Sequence, residues 1–466
     1  MLAFLTRMLL KYIVYGHGLL KSEFYHAFKH GPSNDIFNTP DKVEHSKKRK
    51  RLANIFSAQS VFAFEPRVRE HIRQLCAQWD LRCRESACGV SGDNWSANDG
   101  KAVIDLCAQI SYLAFDIISD LALGSSFGLI QAQKDSSLSI ESVNAFGDPQ
   151  RGTIEIPVVK TIVRGGVSMM GIGVFPAWTH RFLQYLPWNL VGLFDSLNFF
   201  KLATTSVHGR IKRGPKEVIQ DGKRSIDIME KLLEVEEDGR PLPTHELTAE
   251  AIVLLIAGSD TISSTLGCLF YHLATNPRVQ RELQIELDQH IPFQTSSEPH
   301  GKEGLDIRLH DIVVRYDDVK ALPYLEACIK EALRLQSPTA TGLPRVVPPG
   351  NGVVVSGEPF KPGSIISVSL YTIHHSSVWG SDAAEFRPER WLNVKCGLLS
   401  KYFQPFSLGP RACIGRNFAY MNLMLSAATL ARRYKIEALH TTKLMTYEGL
   451  LRSTISCEVM IKRRKV

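Results

Sequence analysis

At about 150 residues per domain, 466 residues give a prior of roughly three domains, one that large single-domain enzymes routinely escape. The chain is 44% hydrophobic, 22% charged and 9% aromatic, with 33 Gly and 23 Pro, an ordinary globular composition that excludes a disordered, collagen-like or polytopic membrane chain. The net charge of +8, from 55 basic and 47 acidic side chains, is spread along the sequence, so anionic partners are admissible and nucleic acid is not specifically indicated.

Residues 1–20 are apolar but are interrupted by Arg7 and Lys11. A bilayer span needs about 20 predominantly apolar residues. A surface-seeking segment is therefore expected rather than an anchor, and the small-residue cleavage site of a secretory signal is missing. Further on, His45-Ser46-Lys47-Lys48-Arg49 sets His45 and Arg49 at helical spacing. They sit beside the cation run Lys47 to Arg51, most of which is expected to face solvent.

Apolar residues at i, i+3, i+4 spacing predict helices over 66–87, 103–123, 225–236, 245–290 and 318–336. The apolar run 251–270 has the length of a membrane span, but Gly258, Ser259, Asp260 and Thr261 stand at its centre. A charge at mid-bilayer is costly, so a buried soluble helix is expected. There Gly258 and the Thr261 hydroxyl could loosen the helical ladder, and Asp260 and Thr261 could relay protons along a hydrogen-bond chain. The polar stretch 294–311 reads as a surface insertion. Glu331 and Arg334, three apart, share one helical face. Short β-branched pieces at 345–347, 352–355, 365–370 and 456–461, bounded by Pro and Gly, predict small sheets. The fold class is mainly α with small β-sheets, in a single large domain.

The nine cysteines are Cys76, Cys83, Cys88, Cys107, Cys268, Cys328, Cys396, Cys413 and Cys457, an odd number without a C-x-x-C pair. Zinc-ribbon and disulfide-framework readings are excluded, and a reducing compartment is indicated, with most thiols inert and one available as a ligand. That one is Cys413, in Phe406-Ser407-Leu408-Gly409-Pro410-Arg411-Ala412-Cys413-Ile414-Gly415 ahead of a helical pattern. A thiolate can ligate haem iron and push electron density toward it, which favours O–O cleavage. Amides at a helix start favour the thiolate. Gly409 and Gly415 permit a tight turn and close approach to a flat macrocycle, Arg411 can grip a propionate, and Phe406 would shield the sulfur. Five specified positions coincide by chance with a probability on the order of 10⁻⁴ in a chain of this length.

This loop resembles the haem-binding signature of the cytochrome P450 family of haem-thiolate monooxygenases. The resemblance implies further roles. Glu331 and Arg334 look like the family's E-x-x-R pair, with Arg390 of Phe386-Arg387-Pro388-Glu389-Arg390-Trp391 as the structural third member. Ala257-Gly258-Ser259-Asp260-Thr261 is similar to the oxygen-binding stretch, making Asp260 and Thr261 catalytic alongside Cys413. His45, Arg49, Arg345 and Arg411 would meet the haem propionates, with Phe406, Cys413 and Gly415 also at the cofactor. Tyr15-Gly16-His17-Gly18, Phe37-Asn38-Thr39-Pro40-Asp41 and Phe115-Asp116-Ile117-Ile118 look like the fungal branch, in particular its benzoate 4-hydroxylase-like members.

By the same resemblance the chain would be an enzyme that binds heme b through the Cys413 thiolate. It would take electrons from NADPH through a partner reductase and insert one oxygen atom of O2 into an apolar or aromatic substrate. The substrate pocket is expected from regions near 17–36, 130–200 and 342–350. Lys401 and Arg416 would offer a basic face to the reductase. The location implied is the cytoplasmic face of the endoplasmic reticulum membrane, with peripheral attachment. The family's anchor, hinge, first helix and first two strands have no counterpart ahead of His45, so the expected division is a shortened N-terminal segment 1–40 and a catalytic domain 41–466. Two other readings stay open: a non-catalytic haem-binding remnant, and a reductase-independent isomerase or dehydratase.

Overall fold

The computed structural model describes residues 19–140, 153–214, 219–220, 223–224, 227–237, 239–291, 313–355, 357–393 and 396–464. The apolar start as far as residue 18, the string Tyr15 to Gly18 within it, and the insertion 294–311 lie outside the described residues.

Strand β1 (Leu20–Lys21) precedes helix α1 (Lys42–Ala53), which Asp41 opens by accepting from the Glu44 amide at 2.7 Å. Helix α2 (Glu65–Ala87) leads into the hairpin β2 (Trp95–Asn98) and β3 (Lys101–Asp105). Asp105 ends β3 and caps α3 (Leu106–Leu123), its carboxylate accepting from Cys107 N at 3.0 Å. The helix expected over 103–123 thus begins as a strand. Alternation over five residues is too short to compete with the helical period that comes after it.

Helices α4 (Val158–Gly173) and α5 (Leu190–Arg213) run antiparallel, pinned by the Arg164–Asp195 ion pair at 2.7 Å. Helix α6 (Thr244–Thr275) has 32 residues, about 48 Å at the helical rise. The helix expected over 245–290 is two. Pro277 opens α7 (Pro277–His290) because its ring cannot continue the preceding helical ladder, and the chain turns at Asn276. Helix α8 (Pro323–Leu335) carries the Glu/Arg pair and α9 (Arg416–Arg433) succeeds the cysteine loop. The helix expected over 225–236 is described as Ile228–Leu233.

Strands β4 (Arg345–Val346) and β5 (Ile365–Ile366) join β1 in an antiparallel sheet of order β1-β4-β5, with Lys21 opposite Arg345 and Arg345 opposite Ile366. After α9 come β6 (Tyr434–Ala438), the hairpin β7 (Met445–Glu448) and β8 (Arg452–Ser456), and β9 (Glu458–Arg463). The larger sheet, order β6-β9-β3-β2, pairs the chain's end with its first third, Ile461 facing both Ala102 and Ile436. Sequence periodicity carries no trace of such a pairing.

The core gathers α2, α3, α6 and α9, with Trp79, Phe115, Phe270 and Tyr434 fully buried. Helices α3 and α6 are long and apolar enough to cross a membrane, yet both are mostly buried against protein, in keeping with the soluble-helix expectation for 251–270. Gly258 and Gly267 explain how α6 sits so deep. A Cβ at Gly258 would lie 2.6 Å from Ile118 Cδ1 on α3, and one at Gly267 2.7 Å from Thr454 Oγ1 on β8. Each glycine costs about 1 kcal/mol of helix propensity relative to alanine, which the closer packing offsets.

Candidate functional site

A cavity of about 350 Å³ runs between α6, α4, α5, the 21–37 segment and the cysteine loop. That is a size suited to small organic ligands, and most of its lining is apolar. Its walls include the expected regions near 17–36, 130–200 and 342–350. They also include the α6 face from Ile252 to Thr265, which carries the expected Asp260 and Thr261, and the tip of the β7–β8 hairpin at Gly449, Leu450 and Leu451, which alone left no local sequence signal.

Cys413 lines this cavity, and its backbone amide donates to Phe406 O at 2.9 Å, closing the loop on itself. Ser407 and Gly409 take φ of +59° and +71°, the left-handed values that make the turn. Gly415, at the start of α9, donates its amide to the Cys413 sulfur. Burial still pushes the thiol up, ahead of the opposing pull of Gly415 N–H, Arg49 and Arg416. The Gly415 amide pulls toward the thiolate, the direction expected from the sequence, without by itself outweighing burial; a metal cation at the sulfur would deprotonate it outright. The Phe406 ring, which lines the cavity, packs on Tyr420 at 5.1 Å beneath the Arg416 guanidinium.

Besides His30, five basic side chains line the same cavity: Lys21, His45, Arg49, Arg345 and Arg411. Arg49 donates to Ala412 O at 2.8 Å, and Arg411 to Thr39 O and Pro40 O at 2.9 and 3.2 Å. Arg345 donates to Tyr25 Oη at 2.5 Å. The group repels itself. Burial, then Arg411, Lys21 and Arg49, push His45 down to about 4, and burial, then Arg345 and Arg411, hold Lys21 well below the usual lysine range. Burial followed by Arg345 lowers Arg411 to about 10. A thiol beside a cluster of cations that depress one another fits haem, whose iron and two carboxylates supply the missing charges of each sign. Lys21 was not singled out in the sequence. Only its strand register against Arg345 brings it here.

The expectation that most of the run Lys47 to Arg51 faces solvent fails at two positions. Lys48 is 3% exposed and binds Glu246 and Glu250 on α6 at 2.7 and 3.1 Å. Arg51 reaches Glu246 and Glu237 at 2.7 and 2.6 Å. Two turns of α6 supply Glu246 and Glu250, and the segment ahead of it Glu237, which a reading of the basic run alone could not anticipate.

Helix α6 stays α-helical through 257–261. Thr261 Oγ1 donates to Ala257 O at 2.7 Å, so the ladder is not opened there, and Gly258 serves close packing on Ile118 instead. Asp260 is buried and accepts from Ser453 Oγ on β8 at 2.7 Å and from Ser264 Oγ at 3.4 Å. Burial raises its carboxyl to about 6 against the smaller pull of those two hydroxyls. Ser453, distant in sequence, left no local signal.

Glu331, Arg334 and Arg390 meet away from the cavity, all three buried. Arg334 forks onto both Glu331 oxygens at 2.8 and 2.9 Å, and Arg390 donates to Oε1 at 2.7 Å. The Trp391 indole and the Arg387 amide add bonds at 2.9 and 3.1 Å. Both guanidiniums spend their remaining donors on carbonyls of 374–385, for example Arg334 on His374 O at 2.6 Å and Arg390 on Trp379 O at 2.8 Å. Trp391 stood beside Arg390 in the sequence, and its indole N–H was the signal for this fourth member.

The family model for "Cytochrome P450" matches residues 18–459. Benzoate 4-monooxygenase of Aspergillus niger is 35% identical over 460 residues, covering 97% of this chain and 82% of that protein. Pisatin demethylase of Fusarium vanettenii is 29% identical, covering 91% and 74%. Among solved structures, a cytochrome P450DA haem domain superposes with a TM-score of 0.72 at 17% identity, covering 99% of this chain and 87% of that one. The chain belongs to the cytochrome P450 family. It is a haem-thiolate monooxygenase, of the class that takes O2, an organic substrate and electrons from a redox partner.

Proposed function

We propose that this monooxygenase hydroxylates a small aromatic acid of the benzoate type, with Cys413 as the residue that would ligate the haem iron. The observation that carries the reading is the thiol of Cys413, bonded by the Gly415 amide, facing an apolar cavity shared with the Ala257–Thr261 turn of α6. The identity to a benzoate 4-monooxygenase supports the substrate class.

Haem supplies the activation of dioxygen when bound. The chain does the rest. Arg345, Arg411, Arg49 and His45, with Lys21, would hold the two haem propionates, whose negative charge would offset the mutual repulsion of these cations. Gly415 N–H and the neighbouring arginines keep charge on the sulfur. Asp260, titrating near neutrality, and Thr261 pass protons into the cavity. Glu331, Arg334 and Arg390 fix the scaffold behind the cysteine loop. Segment 1–40 completes the cavity of the catalytic domain 41–466 through Lys21 and Phe28.

The redox partner is an NADPH-dependent reductase that docks at a groove lined by the exposed Arg416 and by Lys330, with the exposed Lys401 next in sequence to the lining residue Ser400. Between α4 and α5, Phe175, Trp178, Phe182, Tyr185 and Trp188 are all more than half exposed. So much exposed aromatic surface suits the lipid interface, which supports peripheral attachment to the cytoplasmic face of the endoplasmic reticulum membrane. Trp178→Ser with Trp188→Ser is expected to reduce sedimentation with anionic vesicles; unchanged sedimentation removes this surface from the proposal.

The test of function is direct. The reduced, carbon-monoxide-treated protein should show the far-red-shifted Soret band of a thiolate complex. With an NADPH-fed fungal reductase it should then convert benzoate to a hydroxybenzoate. A globin-like band, or consumption of NADPH without hydroxylated product, refutes the proposal.

A further inference from the structure

Within the apolar wall beneath α4 and α5, one imidazole is out of place. His30 lines the cavity, and its ring makes no hydrogen bond to any described residue. Burial alone pushes it down to about 4, with no neighbouring charge contributing. His45, by contrast, feels Arg411, Lys21 and Arg49, so His30 stands apart from the cationic cluster assigned to the propionates.

Its position is fixed by Gly31. At φ +82°, Gly31 lies so close to α5 that a Cβ would fall 2.7 Å from Phe200 Cε2. The antiparallel register of α4 and α5 places a second polar group at the same turn. Arg164 pairs with Asp195, a Cβ at Gly165 would meet Ser196 Oγ at 3.4 Å, and one at Gly192 would meet the Ser168 side chain. One further turn toward the α4 start, the same register puts Thr161 level with Phe199, and both line the cavity. Thr161 is buried and lines the cavity, and its hydroxyl has no partner among the described residues. Around them the wall is Phe28, Ile162, Phe199 and Ile252. Two donors left unpaired in such surroundings cost free energy that a bound acceptor restores.

We propose that His30 and Thr161 form the subsite that receives the substrate's carboxylate. Both groups can donate, through an imidazole N–H and a hydroxyl. An anion is the ligand that also favours a proton on the imidazole, making the hydrogen bond charge-assisted. The inference rests on the aromatic-acid function and names where the acid group sits.

The experiment is a spectral titration of haem-loaded protein, reading the spin-state shift with sodium benzoate and, separately, with methyl benzoate. His30→Phe is expected to weaken benzoate about tenfold or more while leaving methyl benzoate within about twofold, since a lost charge-assisted bond is worth at least one decade of affinity. His30→Gln, which keeps a donor, should fall between the two, and Thr161→Val should shift the same way by less. Equal weakening of both ligands, or of neither, overturns the subsite while benzoate binding by wild type leaves the functional reading standing. Wild type that responds to methyl benzoate but not to benzoate overturns the subsite and the acid together, and keeps only an aromatic substrate.

Discussion

Two carboxylates are buried on neighbouring helices, and their surroundings could hardly differ more. Glu331 on α8 accepts five hydrogen bonds, three of them from the guanidiniums of Arg334 and Arg390. Asp260 on α6 has the hydroxyls of Ser453 and Ser264 and no cation. A carboxylate ringed by fixed positive charge is a strut, because removing any member strands the others in low dielectric. One held by hydroxyls alone is costly to ionise and can exchange its proton near neutral pH. The same contrast separates the two sides of the molecule: a polar, fully bonded network behind the cysteine loop, and an apolar cavity with a few polar groups left open to a ligand.

That contrast can be broken at several points. The largest effect is expected from Cys413→Ser, which should abolish the far-red carbon monoxide band and turnover together while far-ultraviolet dichroism is retained. Next comes Arg334→Leu, which leaves Glu331 without its forked partner. A loss of about 3–5 kcal/mol is expected, read as poor haem loading and a collapsed thermal transition. If Arg334→Leu loads haem normally, the network is not a strut.

Asp260→Asn should move two readouts in opposite directions. Turnover falls by roughly 10²-fold or more, as for loss of a positioned proton donor, with the carbon monoxide band unchanged. Stability rises. With its carboxyl raised from 3.8 to about 6, the folded chain holds more protons than the unfolded one across that window. Stability therefore falls as pH climbs through it, and the penalty is complete above about 6. Asparagine removes a penalty of roughly 3 kcal/mol at most, so Tm should exceed wild type at pH 7.5 and converge with it near pH 4. A lower Tm at both values would contradict this account.

The smallest effect is expected from Ser453→Ala. Loss of the 2.7 Å bond, which favours the charged form, should move the Asp260 titration further up, displacing the corresponding limb of the turnover–pH profile in the same direction.

Much of this was legible in the amino-acid order because it is local. The cysteine loop and its helix, the Glu331/Arg334 spacing and the His45/Arg49 spacing each lie within ten residues, where covalent geometry and the 3.6-residue period fix who can meet whom. Arg390 and Trp391 were legible in the same way, as neighbours in one Pro-bounded turn. The sequence also predicted a helical body with small sheets, though it overran the strand at β3 and the break at Pro277.

Contacts between distant segments were decided only by the tertiary structure. Lys21 comes to the cavity through its register with Arg345, Lys48 is buried because α6 presents Glu246 and Glu250 to it, and Ser453 reaches Asp260 across a hairpin. Gly258 is glycine for the sake of Ile118 on another helix. The physical reason is common to all four. Burial and the partner at the far end of a side chain set a group's charge and role, and both are properties of packing between segments that no local pattern records.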